Sequence, residues 1–270
     1  MSDELRKKQK NKIFLKKPID GIQKTLMVSS AKGGVGKSTV AINLACAFKK
    51  IGLTVGYLDA DIYGPSLPKL INNKKKPETK NGKLIPVEEF GIKFMSMGFL
   101  VNDSTPMIWR GPMVISAIKT LTEKVLWGDL DIMVIDMPPG TGDAQLTFAQ
   151  DIKIDGAVIV STPQDLALVD VERGIEMFEK TELRILGLIE NMSFLKTEDG
   201  KIIDLFGKGG VEKISKKYNK QLLAQIPIHK DLTISTPLYP RCCLQCIIIR
   251  NCPWTLKHKA ILIDKLIKHL

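Results

Sequence analysis

Two kinds of hydrophobic pattern alternate along this chain. TLMVSS (25–30), LTVGYLD (53–59), LDIMVID (130–136), DGAVIVS (155–161) and LRILGLIE (183–190) are short and apolar at consecutive positions. That is the signature of parallel strands buried on both faces. Between them lie TVAINLACAFKK, GPMVISAIKTLTEKVL, DLALVDVERGIEMFEK and GGVEKISKKYN, whose apolar residues recur at helical spacing. GIKFMSMGFL and LLAQIPI read as further strands. The alternation predicts an α/β domain, a doubly wound and mostly parallel sheet with helices on both faces.

In such a sheet the ligand sits beyond the carboxyl ends of the strands, so the residues that follow each strand carry the chemistry. The first strand runs into AKGGVGKST (31–39), directly before a helix. Gly33, Gly34 and Gly36 let the backbone turn sharply and aim its N–H groups inward, and the helix start adds partial positive charge. This is a P-loop: Lys37 reaches the β- and γ-phosphates, and Ser38 offers its hydroxyl to Mg²⁺. It departs from G-x-x-x-x-G-K-[ST] in having Ala31 at the first glycine, and it carries an extra lysine, Lys32. Asp59 and Asp61 follow the second strand, and Asp136 precedes the turn PPGTGD. An acidic residue at position 136 can hold Mg²⁺ through water while a nearby carboxylate orients the attacking water. Asp59 has a simpler alternative, capping a helix.

Composition narrows the classes. The 270 residues carry a formal charge of +11, which raises the question of nucleic acid. The basic residues are mostly lysine, in runs such as LRKKQKNK and NNKKKPETKNGK, and aromatics are 6% and not interleaved with them. Solvated loops follow, and no specific nucleic-acid partner is expected. No apolar run reaches spanning length, and the charged start MSDELRKKQKNKIF has no apolar core, so a cytoplasmic location is expected. Of five cysteines, Cys46 lies on an apolar helix face, and Cys242, Cys243, Cys246 and Cys252 crowd together. Such a cluster stands for metal, redox chemistry or nothing. The last stretch, KHKAILIDKLIKHL, forms an amphipathic helix that either packs on the domain or lies on a membrane surface. The expected division is a basic tail at 1–20, a P-loop ATPase domain at 21–240, and a cysteine-containing segment with the final helix at 241–270.

The string KGGVGKST resembles the deviant Walker A motif of the MinD/ParA/Mrp class of P-loop ATPases. YLDADIYGPSLPKL, MIWRGPMV, LDIMVIDMPPGTGDAQLT, VIVSTPQDLALVDVERGI, IENMS and LFGKGG extend the resemblance to the Mrp/ApbC family, over about residues 20–235. That family consists of iron–sulfur cluster carriers or scaffolds. The resemblance implies a MinD-like fold, ATP and Mg²⁺ as cofactors, and slow hydrolysis that works as a switch. It implies an ATP-sandwich homodimer in which Lys32 crosses to the partner's nucleotide, so Lys32, Lys37 and Asp61 are the catalytic candidates. Gly33, Gly34, Val35, Gly36, Lys37, Ser38 and Thr39 would hold phosphates, Asp61 would orient water, Asp136 would open switch II, and Asn191 would contact adenine. The implied partners are iron–sulfur apoproteins and the assembly machinery. One departure stands out. The family follows NMS with a C-x-x-C pair that binds a bridging cluster, and this chain has NMSFLKTEDGKIIDLFGKGG, without cysteine. Cys243 and Cys246 form the replacement candidate. Two competing readings are a MinD/ParA-like positioning ATPase and a nucleotide switch that has lost its cluster.

Overall fold

The computed structural model describes residues 16–100, 111–197, 199–228 and 256–270. Its core is an eight-stranded sheet. In chain order the strands are β1 (Ile22–Ser29), β2 (Val55–Asp59), β3 (Val87–Glu89), β4 (Ile92–Ser96), β5 (Leu130–Asp136), β6 (Gly156–Ser161), β7 (Ile185–Glu190) and β8 (Leu222–Gln225). Their spatial order is β8-β7-β6-β1-β5-β2-β4-β3. All neighbours run parallel except the edge pair β3–β4. The mostly parallel, doubly wound sheet expected from the apolar runs is therefore present. Its antiparallel edge, VEE, was not legible, because three residues are too short for a period to show.

The helices are α1 (Lys37–Lys50), α2 (Leu67–Leu70), α3 (Gly111–Glu123), α4 (Asp143–Asp151), α5 (Asp165–Lys180), α6 (Gly210–Lys217) and α7 (Leu256–His269). Leu26, Met27 and Val28 of β1 and Met133, Val134 and Ile135 of β5 are fully buried, which explains why these strands read as continuous apolar runs. Helix α1 packs on this centre through Val40, Ile42, Leu44, Cys46 and Phe48, and Lys49 and Lys50 sit favourably at its negative end. Close packing fixes small residues too: a side chain at Gly56 would meet Leu130 Cδ1 at 2.6 Å and Trp127 Cε3 at 3.5 Å.

Residues 16–20 are tied to the domain, since Lys17 bridges Ile152 and Ile19 is buried. Helix α7 buries Leu262, Ile263 and Leu266 in the core cluster, and Lys24 Nζ bonds the carbonyl of Leu270 (2.7 Å). Two small hairpins stand outside the main sheet, pairing 79–80 with 83–84 and 195–196 with 202–203. Because β1 lies between β5 and β6, strand order reverses beside it, and the carboxyl end of β1 faces the crevice where such sheets bind ligands.

Candidate functional site

The strands end in a buried polar layer. Ser29 and Ser30 close β1, Asp59 closes β2, Ser96 closes β4, Asp136 closes β5, Ser161 closes β6, and Glu190 and Asn191 close β7; all are buried. A sheet whose core is largely apolar thus terminates in groups that must find partners.

The P-loop leaves β1 into this layer. Gly34 and Gly36 adopt φ of 80° and 82°, the left-handed region, and Gly36 caps α1. A Cβ at Gly34 would meet nothing within 4 Å, and one at Gly33 only Pro139 Cγ at 4.0 Å. Open room therefore lies beside the loop backbone, which a phosphate cradle requires. Lys32 and Gly33 are exposed, whereas Val35 and Lys37 are buried and Ser38 and Thr39 half-buried. Two contacts tie the loop to the turn after β5: Gly140 N–H donates to Ser30 O (2.9 Å), and Gln145 links Ser29 Oγ (3.0 Å) to Pro138 O (2.6 Å).

Lys37 Nζ forms an ion pair with Asp136 Oδ1, both buried, and lies 3.3 Å from Ser38 Oγ. Tyr57, on β2, donates its hydroxyl to Asp136 Oδ2 (3.1 Å). Asp59 is the direct register partner of Asp136. It accepts from Ser96 Oγ (2.9 Å) and from the backbone N–H groups of Ser66 (3.2 Å) and Leu67 (3.1 Å). Asp59 thereby caps α2, the simpler alternative left open above, reaching the helix start from the end of the preceding strand β2. Burial, reinforced by the charge of Asp136, pushes the Asp59 carboxyl up to about 7. Burial also raises Asp61, with Lys37 pulling the other way, and Asp61 Oδ1 accepts from Gly64 N–H (3.2 Å). Burial, then the charges of Asp136 and Asp59, raise Tyr57 well above its ordinary value, so it remains a protonated donor.

Asn191 meets the loop from the other side. Its amide donates to Val35 O (2.8 Å) and abuts Gly36 so closely that a Cβ there would collide with it. The preceding Glu190 accepts from Gln225 Nε2 (2.8 Å), Ser193 Oγ and the backbone N–H of Val211 (3.2 Å) at the start of α6. The structure thus brings Lys37, Ser38, Asp61, Asp136 and Asn191 to one sheet end, while Lys32 faces outward. Tyr57, Glu190 and Gln145 were not expected. Position at a strand end was a sufficient signal for Glu190; for the other two only the fold supplies one.

Cys243 and Cys246 lie outside the described residues, as do Trp109 and Arg110 of the WRGPM stretch. Among the described residues no group of three or more His, Cys, Asp or Glu could hold a metal ion, and the cysteine present, Cys46, is buried. No described helix is long and apolar enough to cross a membrane.

Comparison with known proteins agrees with this geometry. A family model described as ParA, NUBPL iron-transfer P-loop NTPase, matches residues 21–237. The chain is 50% identical over 217 residues to an Arabidopsis thaliana iron–sulfur protein required for mitochondrial NADH dehydrogenase, covering 79% of this chain and 69% of the relative. It is 48% identical over 226 residues to the iron–sulfur cluster carrier protein of Escherichia coli K12, covering 81% of this chain but only 61% of the bacterial protein. Among solved structures, a nucleotide-binding protein from Archaeoglobus fulgidus in complex with ADP superposes with a TM-score of 0.70 at 42% identity, over 80% of this chain and 86% of that one. The cell-division ATPase MinD of Pyrococcus furiosus shares the fold at 20% identity, with a TM-score of 0.64 over 91% and 99%.

Proposed function

The chain belongs to the NUBPL iron-transfer P-loop NTPase family, and from that premise we propose that it is an ATP-binding, Mg²⁺-dependent and slowly hydrolysing carrier that delivers iron–sulfur clusters to apoproteins. The observation that carries the nucleotide half is the buried Lys37–Asp136 pair at the mouth of an open glycine loop. Taking two charges out of water is costly, so their placement there asks for a purpose beyond stability. An incoming polyphosphate draws Lys37 away and supplies the stronger anion. Gly33 to Thr39 would hold the phosphates, Ser38 and Asp136 would hold the Mg²⁺, Asp61 would orient water, and Lys37 would steady the transferred phosphoryl. Mg²⁺ would neutralise phosphate charge there. Asn191 buttresses the loop backbone through Val35 O and would contact adenine. The exposed Lys32 is free to enter a partner subunit's site in a homodimer.

The cargo half rests on kinship with proteins named as cluster carriers. If thiolates hold the cluster, they come from the cysteines at 242–252, because Cys46 is buried in the core. A second reading, a nucleotide switch without cargo, is favoured by the absence of cysteine from 193–210. A membrane-positioning ATPase gains no support, since Leu262, Ile263 and Leu266 of α7 are already packed in the core. The test is transfer: protein loaded anaerobically with iron and sulfide is mixed with an apoprotein that needs a cluster, with and without MgATP. ATP-dependent activation of the acceptor, lost in Lys37→Ala, is expected; no transfer under any condition overturns the carrier reading.

A further inference from the structure

We infer that Tyr57 is a positioning residue for Asp136, holding the carboxylate in place while Lys37 leaves it for the phosphates. The inference rests on the nucleotide reading above and concerns a residue that no part of the P-loop pattern predicts.

Asp136 is surrounded as follows. Lys37 and Ser38 approach from α1, Tyr57 and Asp59 from β2, Asp61 from the loop after β2, and Ser96, at the end of β4, bonds the far side of Asp59. Of these, Lys37 holds Oδ1 and Tyr57 holds Oδ2. When Lys37 turns to a polyphosphate, Oδ1 is released toward the metal side. The tyrosine hydroxyl is then the side-chain donor that remains on Asp136, while Asp59 on the neighbouring strand is already engaged by Ser96 and the backbone N–H groups of Ser66 and Leu67. Without the hydroxyl, a fully buried carboxylate keeps one oxygen unpartnered, and it answers by following Lys37 or turning away from Mg²⁺.

The position of Tyr57 makes this a fixed device. It sits in the middle of the sheet, in register with Phe94 on one side and Val134 on the other. It is fully buried, and its ring packs against Phe94 with centroids 5.7 Å apart. The strand pleat aims it along the same face as Asp59 and diagonally at Asp136, two residues further along β5. Tyr57→Phe removes the hydroxyl and leaves that packing intact.

The experiment measures binding of a fluorescent ADP analogue to the full chain, in EDTA and across a Mg²⁺ titration, with thermal melting to confirm that each variant is folded. In Tyr57→Phe the affinity in EDTA should stay within about twofold of wild type, while the affinity gained on adding Mg²⁺ falls by about tenfold, the scale of a lost hydrogen bond to a charged group. Asp136→Asn supplies the second variant: adding Tyr57→Phe to it should change nothing more. Equal losses with and without Mg²⁺ would mark Tyr57 as structural only and overturn the inference, as would a full Mg²⁺ gain in Tyr57→Phe or a further loss in the double variant. A wild type that binds the analogue no better than Lys37→Ala would overturn the nucleotide reading itself, and this role with it.

Discussion

The two flanks of Glu190–Asn191 are built on opposite principles. On one side lies the nucleotide pocket, where Lys37, Tyr57, Asp59 and Asp136 are buried and each polar atom has an assigned partner. On the other side the chain runs into the hairpin at 195–203 and the loop to α6, where Ile202 is 64% exposed, Leu205 51% and Ile203 43%. Two paired residues per strand hold that hairpin. Its side-chain bonds, such as Thr197 Oγ1 to Lys201 O (3.1 Å), are local and solvated. The pocket is fixed by interactions that are costly to break, whereas the hairpin is fixed by little. The first cannot change without leaving buried groups unpartnered, while the second can change its residues and leave the fold standing.

The largest effect that sharpens this contrast is expected from Lys37→Ala. Nucleotide binding should vanish in a fluorescence titration. The nucleotide-free protein should also lose about 3–5 kcal/mol in urea unfolding, because Asp136 is left buried without its counter-charge. Gly36→Ala comes next. Its φ of 82° and the adjacent Asn191 amide leave no room for a methyl group. A loss of about 1–3 kcal/mol and weaker nucleotide binding should follow, both readable from melts with and without ADP. Glu190→Gln places an amide among three donors and should cost about 1–3 kcal/mol by urea unfolding.

A smaller effect follows pH. Asp59 holds its proton up to about 7 in the folded protein, far above its unfolded value. The stability it contributes is thus full in acid and lost as pH rises through about 7. Asp59→Asn should therefore melt progressively higher relative to wild type between about pH 5 and about pH 8. A constant difference across that range would contradict the assignment. The smallest effect belongs to the hairpin: Ile202→Ser should change unfolding free energy by no more than about 0.5 kcal/mol. A large loss there would erase the contrast.

What the sequence disclosed divides along physical lines. The apolar runs revealed the central strands because burial on both faces forces consecutive hydrophobic residues. The glycines at 33, 34 and 36 revealed the loop because backbone geometry restricts the residue type. Asp136 and Asp61 were found by their places after strands. Tyr57 was hidden, because its role depends on β2 lying beside β5, and in the sequence it reads as one more apolar strand residue. Glu190 was passed over beside Asn191, though a carboxylate closing an apolar strand is seldom idle. The edge strand β3 and the hairpins are too short for periodicity to show. The final helix was legible as amphipathic, but which surface takes its apolar face was not; the core takes Leu262, Ile263 and Leu266.

The most direct test of the account is anaerobic reconstitution with iron and sulfide, comparing wild type with a variant carrying serine at 242, 243, 246 and 252. Bound iron, acid-labile sulfide and visible absorption are read together. The account predicts a stoichiometric cluster in wild type and none in the serine variant, with nucleotide binding equal in both. A cluster retained by the variant, or none in wild type, would contradict it.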